Sequence, residues 1–303
     1  MTPRARPHPS GASGVTLIEL AIVIALIGIL GALIVQFVSP VRSYIDTSRR
    51  AALADAADTA LRRIGRDVRL ALPNSVRVDG SNKFVEFMLV RAAGRYRLET
   101  DPAATSTCTG GAAQDVLTFG SATETCFKTI GSLYNPASGI ATSVTTSDFV
   151  VVFNLQPGTP NADAYASGAA TGGNKAKITS ASAVVAGEDK IQFEANTFVF
   201  ESPGRRFFII EGPVSYGCDT TAGTLTRYWG YTGYQAGQQT PPSNGSSALL
   251  ASGVVECQMT YDSSEISQSA GLLTMRLKLR TTDSRGSAQD VVLYHTVHVN
   301  NVP

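Results

Sequence analysis

The residue with the clearest chemical potential is Glu19, a carboxylate inside an otherwise apolar run over residues 15–38. A carboxylate costs roughly a few kcal/mol at the centre of a membrane and less near its surface, so it calls for a positive partner. The run contains no basic side chain. If the chain were cut after Gly14, the new amine of Val15 would lie one helical turn from Glu19, and it could also pair with a neighbouring copy. The alternative is a signal anchor that tolerates one glutamate near its cytoplasmic end.

Four cysteines, Cys108, Cys126, Cys218 and Cys257, form the second set with possible chemistry. None belongs to a Cys-x-x-Cys pair, and none has a histidine at the spacing of a metal site. An even number of cysteines in an exported chain favours two disulfides, for which three pairings exist. We favour Cys108–Cys126 and Cys218–Cys257 because short loops close most easily. Four reduced, buried thiols are the alternative.

Other patterns that could support catalysis or metal binding are weak. His8 lies in the polar start of the chain, and His295 and His298 are three apart on a predicted strand, where they face opposite sides. The sequence has no Gly-x-Ser-x-Gly, phosphate-binding loop or His-Glu-x-x-His motif. Scattered acidic residues leave a carboxylate pair or a calcium loop open. We therefore predict a non-enzyme without cofactor or metal; a membrane-anchored envelope enzyme or sugar-binding protein is the alternative.

The apolar run that carries Glu19 follows a polar leader. Residues 1–14 contain two arginines and three prolines, which prevent a stable helix. As a helix, residues 15–38 are long enough to span a bilayer core of roughly 30 Å, and the basic leader would stay in the cytoplasm. An ordinary secretory signal has its small-residue cleavage site after the apolar core. Here Ser13 and Gly14 precede the core, so a cut would leave the helix attached.

Residues 39–73 continue this helix as an amphipathic segment. Pro40 is expected to kink or locally open the helix, and Pro73 to end it. An apolar stripe recurs at helical spacings and needs a sheet to cover it. The stripe consists of Ile45, Leu53, Ala57, Leu61, Ile64, Val68 and Leu72.

Arginine is concentrated on this segment although the whole chain is nearly neutral, with 25 Lys+Arg against 24 Asp+Glu. The balance argues against a whole-protein role in binding nucleic acid. The pairs Asp46–Arg50 and Asp58–Arg62 have favourable helical spacing, and no aromatic stacking platform accompanies the arginines. We predict a solvated helix face that also meets neighbouring subunits, and no nucleic-acid partner.

Residues 74–303 are predicted to form a β-rich head domain. β-Branched and aromatic residues cluster in short runs between polar loops, which is typical of strands. Predicted strands cover 75–78, 84–90, 116–119, 149–155, 191–193, 197–201, 206–211, 225–229, 255–261, 272–280 and 290–299, with a long loop at 157–177. The predicted fold class is α+β: a long N-terminal transmembrane and amphipathic helix packed on an antiparallel β-rich head.

The segment Gly14-Val15-Thr16-Leu17-Ile18-Glu19, with the apolar run behind it, resembles the processing motif of type IV prepilins and type II secretion pseudopilins. The resemblance implies a type IV pilin-like fold. It also implies that a prepilin peptidase cuts after Gly14 and methylates Val15, and that Glu19 helps subunits dock into a filament. Val15 departs from the phenylalanine usual at that position. Implied partners are other major and minor pilins and an inner-membrane assembly platform.

Further segments resemble the large minor pilins of mannose-sensitive haemagglutinin pili. They are YIDT (44–47), RRAAL (49–53), RFFIIEGPVSYGC (206–218), LTRY (225–228) and the ending LYHTVHVNNVP (293–303). This resemblance implies a low-copy subunit, similar to the J-type pseudopilins, that initiates or caps a pilus. It would sit in the inner membrane with its head in the periplasm, and at the cell surface after assembly. A minor pseudopilin of a type II secretion system is the alternative.

Overall fold

The chain from Leu17 to Arg69 forms a single α-helix of 53 residues, α1, in this computed structural model. The structure describes residues 14–99, 108, 115–120, 123–134, 143–166, 173–185, 188–263 and 269–303, with backbone alone at 35–42, 182–185 and 236. Helical structure continues through Pro40, so the predicted local opening is not found there. Leu70 caps the end of the helix: its N–H donates to the Asp67 carbonyl, and the N–H of Ala71 donates to the Val68 carbonyl. The predicted helix from about Leu17 to Leu72 is confirmed within a few residues.

Twelve strands follow the helix in the described part of the chain. They are β1 (Arg77–Val78), β2 (Phe84–Tyr96), β3 (Glu124–Tyr134), β4 (Phe149–Val152), β5 (Lys175–Val185), β6 (Glu188–Asn196), β7 (Arg206–Asp219), β8 (Thr224–Trp229), β9 (Ser246–Ser252), β10 (Val254–Asp262), β11 (Ala270–Thr282) and β12 (Ala288–Asn300).

Six of these strands close a ring. β2 pairs with both β3 and β7, and the order β3–β6–β5–β4–β7 completes the circle through antiparallel pairs. One buried apolar cluster draws side chains from all six strands, and its aromatic members include Tyr96, Phe127, Phe193 and Phe207. The rings of Phe127 and Phe207 pack edge to face with centroids 4.9 Å apart. The closed ring therefore has its own core, because its inward side chains meet at the centre.

The helix packs on a second part of the head. The remaining lengths of β2 and β7 continue into a layer with β1, β8 and β9, while β10, β11 and β12 form a separate three-stranded sheet. A single core cluster joins the helix to both layers, through Ala57, Leu61, Ile64 and Val68 of α1. The expected combination of an N-terminal apolar helix with a large antiparallel β-rich domain is confirmed.

Two disulfides cross-link the head, with the favoured pairing in each case. Cys218 of β7 is bonded to Cys257 of β10, so this bridge ties the nine-stranded sheet to the three-stranded one. Cys108 is bonded to Cys126 of β3 and anchors the chain that precedes that strand. All four sulfurs belong to buried residues.

Several strand predictions were wrong. Residues 116–119 and 197–201 are irregular, although Leu117 and Phe198 are buried in the ring core. The sequence analysis missed β3, β5 and β9, and the predicted loop at 157–177 ends at Lys175, where β5 begins. β5 and β9 are rich in Ala, Ser and Thr, so their strand structure depends on backbone pairing with neighbours rather than on apolar side chains.

Candidate functional site

The start of α1 is an N-cap built from the residues singled out in the sequence. Thr16 has extended backbone angles (φ −76°, ψ 153°), and its side chain accepts a hydrogen bond of 3.3 Å from the N–H of Glu19. A threonine cap followed three residues later by glutamate is the capping-box pattern. The Thr-x-x-Glu spacing is visible in the sequence and is a further signal for a helix start at this point. It defines a helix start just after the Gly14–Val15 bond.

Glu19 lies in the first turn of the helix and is exposed, whereas Val15 precedes the cap and is not helical. The separation of one helical turn between the Val15 amine and Glu19, expected for a chain cut after Gly14, stays a prediction. A carboxylate in the first turn interacts favourably with the positive end of the helix dipole. This interaction offsets part of the free-energy cost of a charge beside an apolar segment. That cost is also lower for a residue near the end of a membrane-spanning helix than for one at its centre.

In the first half of α1, the stretch Leu17–Ile34 is apolar and exposed. Residues Leu17–Ile34 have a mean hydropathy of 2.8 and none is buried. The large apolar side chains from Val15 to Ile34 are 45–86% exposed. At about 1.5 Å per residue, 18 residues are about 27 Å long, close to the thickness of a bilayer core. By length and composition this helix can cross a membrane, and a signal sequence would pass the same test.

The head holds the second half of α1 through the predicted apolar stripe. Ala57, Leu61, Ile64 and Val68 are almost fully buried, as is Leu72 just beyond the helix. Leu53 is partly buried against the same core. Ile45 is 40% exposed, so the stripe is covered from Leu53 onward and not from its predicted start.

At Gly65 the helix lies close against β12. A methyl group added there would lie 2.9 Å from Nε2 of His295 and 3.1 Å from a methyl carbon of Val297, both on β12. Glycine permits this contact because it has no side chain. His295 faces the helix while His298 is exposed, in agreement with the predicted opposite orientations.

Polar contacts fix the helix at two levels. The Asp46 carboxylate accepts hydrogen bonds of 2.8 Å from both the N–H and the hydroxyl of Ser284, in the turn between β11 and β12. The predicted pair with Arg50 is thus replaced by a tertiary contact that the sequence did not indicate. The predicted pair of Asp58 and Arg62 is present at 2.6 Å.

The second level is a partly buried cluster at the end of α1. Asp67 accepts hydrogen bonds from the Tyr216 hydroxyl at 2.6 Å and from Nε of Arg227 at 3.0 Å. Burial, followed by the charge of Asp67, raises the pKa of Tyr216, so the phenol stays protonated and donates. The guanidinium of Arg227 also lies 4.9 Å from the Trp229 ring centroid. No pattern in the sequence pointed to this cluster.

In the part of the chain that the structure describes, no group of three or more His, Cys, Asp or Glu side chains is close enough to hold a metal ion. The residues that stand out are therefore Val15 and Glu19 at the capped start of an exposed apolar helix, together with the contacts that join this helix to the head.

The chain was compared with protein-family models, curated proteins and solved structures, and no match was found in any of the three. Fold and site define the class of the molecule by themselves: an α+β chain whose N-terminal apolar helix can span a membrane and whose disulfide-linked β-rich head holds the second half of that helix.

Proposed function

We propose that this chain is a minor type IV pilin that helps to initiate or cap a pilus by helix packing. The observation that carries the proposal is the exposed apolar half of α1, with Glu19 in its first turn directly behind the Gly14–Val15 bond. An apolar surface of this length is not left in water, so it requires lipid or other helices. A filament subunit that leaves the bilayer exchanges contact with lipid for contact with the helices of other subunits.

The proposed mechanism has two steps. A prepilin peptidase cuts after Gly14 and methylates the new amine of Val15, which remains positively charged. The Glu19 carboxylate then accepts a hydrogen bond from the Val15 amine of a neighbouring subunit, which neutralises both charges as the helices pack. The position of Val15 ahead of the helix cap leaves its amine free to reach another subunit.

The size of the head supports a place at a filament tip. The head contains a closed ring in addition to the two layers that hold α1, and a head of this bulk fits more easily at an end than along a tightly packed shaft. In this proposal the subunit begins in the inner membrane with its head in the periplasm. Its partners are the peptidase, other major and minor pilins and the assembly platform.

N-terminal mass spectrometry of the mature protein is the primary test. The expected product begins at Val15 and carries one methyl group. A retained leader, or loss of the whole apolar helix, contradicts the proposal. Deletion of the gene then separates two filament classes: loss of surface pili supports a pilin, whereas normal pili with failed protein secretion would identify a pseudopilin of a type II secretion system.

A further inference from the structure

A groove of about 350 Å³ lies between the end of α1, the ring strands β2 and β7, and the C-terminal residues. Arg69, Arg95 and Arg206 all line it, each from a different one of these elements. Its volume is at the lower end of the range found for small-molecule sites. The proposed function assigns no role to this groove.

These arginines differ from most others in the head. Arg77, Arg91, Arg97, Arg227, Arg276 and Arg280 each form an ion pair with a carboxylate. No carboxylate belongs to the groove lining, and none of its three arginine side chains has an ion pair or hydrogen bond with the part of the chain described here. Within the described residues, therefore, no carboxylate pairs with these three guanidinium groups, and Arg69 and Arg95 are exposed.

The strand register places two of these arginines opposite each other, which adds electrostatic repulsion. Arg95 of β2 and Arg206 of β7 are direct cross-strand partners, and like charges placed opposite each other in an antiparallel pair are destabilising. Arg69 differs, because a cation in the last turn of a helix is favourable in any case. An anion bound between Arg95 and Arg206 would therefore reduce the repulsion between their charges.

The rest of the lining is mainly apolar and aromatic. Phe208 is partly buried, and Tyr134 is 45% exposed. Such surfaces lower the local dielectric, which strengthens charge–charge interactions, and a flat aromatic ring can also contact the body of a ligand.

We propose that this groove binds a small ligand through an oxyanion group, a carboxylate, phosphate or sulfate, held between Arg95 and Arg206. The planar guanidinium groups can each donate two hydrogen bonds to such a group. The bounded size of the groove favours a ligand of about sugar size over a long polyanion. This inference does not depend on filament assembly.

Calorimetric titration of the full chain in a neutral detergent, at low ionic strength, tests the proposal. The probes are inorganic phosphate, glucose 6-phosphate, glucuronate and neutral glucose. We expect saturable binding of the anions with a Kd on the order of 1 mM or tighter and no binding of glucose. Glucose 6-phosphate binding more tightly than phosphate indicates a sugar-borne group, and equal affinity indicates the free ion.

Arg95→Gln and Arg206→Gln are each expected to weaken anion binding by about tenfold or more. The matched control is Arg285→Gln, which removes the same charge from an exposed turn away from the groove and should leave affinity unchanged. Arg206→Lys keeps the positive charge but lacks the planar guanidinium group, so it should lower the anion affinity by less than Arg206→Gln does.

Thermal unfolding provides a second readout that also reports folding. Phosphate should raise the Tm of the unaltered chain and of Arg285→Gln but not that of Arg95→Gln. Three results overturn the proposal: no saturable anion binding, glucose bound as tightly as the anions, or an equal loss of affinity in Arg285→Gln.

Discussion

The hydroxyl of Tyr216, on β7, donates a 2.6 Å hydrogen bond to the carboxylate of Asp67, near the end of α1. These residues are 149 positions apart in sequence, and Arg227 of β8 binds the same carboxylate oxygen. The contact fixes the end of the helix on the layer of the head that contains β7 and β8.

Asp67→Ala is expected to lower the free energy of unfolding by roughly 3 kcal/mol, because it leaves the Arg227 charge and the Tyr216 hydroxyl without their acceptor. Urea unfolding of the full chain in detergent measures the change. Asp58→Ala is the matched control on the same helix: its ion pair with Arg62 is exposed, so the expected loss is below about 0.5 kcal/mol. Equal losses of unfolding free energy in the two variants would show that the contacts of Asp67 stabilise the chain no more than the exposed pair of Asp58 and Arg62 does.

Gly65→Ala should lower stability in the native background, and by less when His295 is also replaced by alanine, because the close contact with Val297 at 3.1 Å remains. Alanine favours a helix by about 1 kcal/mol over glycine, but its methyl group would lie 2.9 Å from the His295 ring. A double-mutant cycle measured by urea unfolding isolates this conflict, and we expect a coupling of about 1 kcal/mol or more. Additive effects within about 0.3 kcal/mol would mean that the helix shifts freely on β12.

Lys175 should give the head a characteristic dependence on pH. The residue is buried on β5, its ammonium donates to the Ala164 carbonyl at 2.5 Å, and burial lowers its pKa to about 8. Because the unfolded chain keeps this proton up to a pKa of about 10.5, the unfolded state binds more protons between about pH 8 and 10.5. The contribution of Lys175 to the free energy of unfolding therefore rises with pH across that window.

Lys175→Met removes this dependence. The variant should be more stable than the unaltered chain near pH 7, by roughly 3 kcal/mol at most, and the difference should shrink towards pH 10.5. Buried tyrosines also titrate at high pH, so the comparison is made between the two chains at each pH. Lys177→Met, two residues further along and exposed, is the control and should show no such trend. If the difference in unfolding free energy between Lys175→Met and the unaltered chain stayed constant from pH 7 to 10.5, the lowered pKa of Lys175 would be contradicted.

Replacing Cys218 and Cys257 with alanine should cost about 4 kcal/mol of unfolding free energy, the chain-entropy value for a loop of 39 residues. The Cys108–Cys126 disulfide closes a shorter loop of 18 residues, so replacing both of its cysteines with alanine should cost about 3 kcal/mol of unfolding free energy. Urea unfolding under non-reducing conditions compares the two. A smaller loss for the first pair would indicate that the three-stranded sheet is held mainly by its apolar core.

Glu19→Ala should be inserted into the membrane and cut after Gly14, yet enter filaments roughly tenfold less, since losing about 1.4 kcal/mol per contact changes an equilibrium by that factor. Mass spectrometry of the N-terminus checks processing, and the amount of subunit in sheared filaments checks assembly. Asp55→Asn, an exposed acid in the head-bound half of α1, should assemble normally. Normal incorporation of Glu19→Ala would remove this carboxylate from the mechanism.

The sequence by itself determined the features that depend on local patterns. The long apolar run around Glu19 predicted the exposed helix, spacings of three and four predicted the buried stripe from Leu53 to Val68, and short chain separations favoured both disulfides. The Thr16–Glu19 cap belongs to the same group, because both partners lie within one turn. Each of these features follows from residues that are close along the chain.

Only the tertiary structure decided the closed ring, the strands β5 and β9, and the groove lined by Arg69, Arg95 and Arg206. The physical reason is that such features arise from backbone pairing and packing between segments far apart in sequence, and these pairings leave no period in the residues that form them. Arg95 and Arg206 are unremarkable in the sequence, and they become neighbours because β2 and β7 align antiparallel in one register.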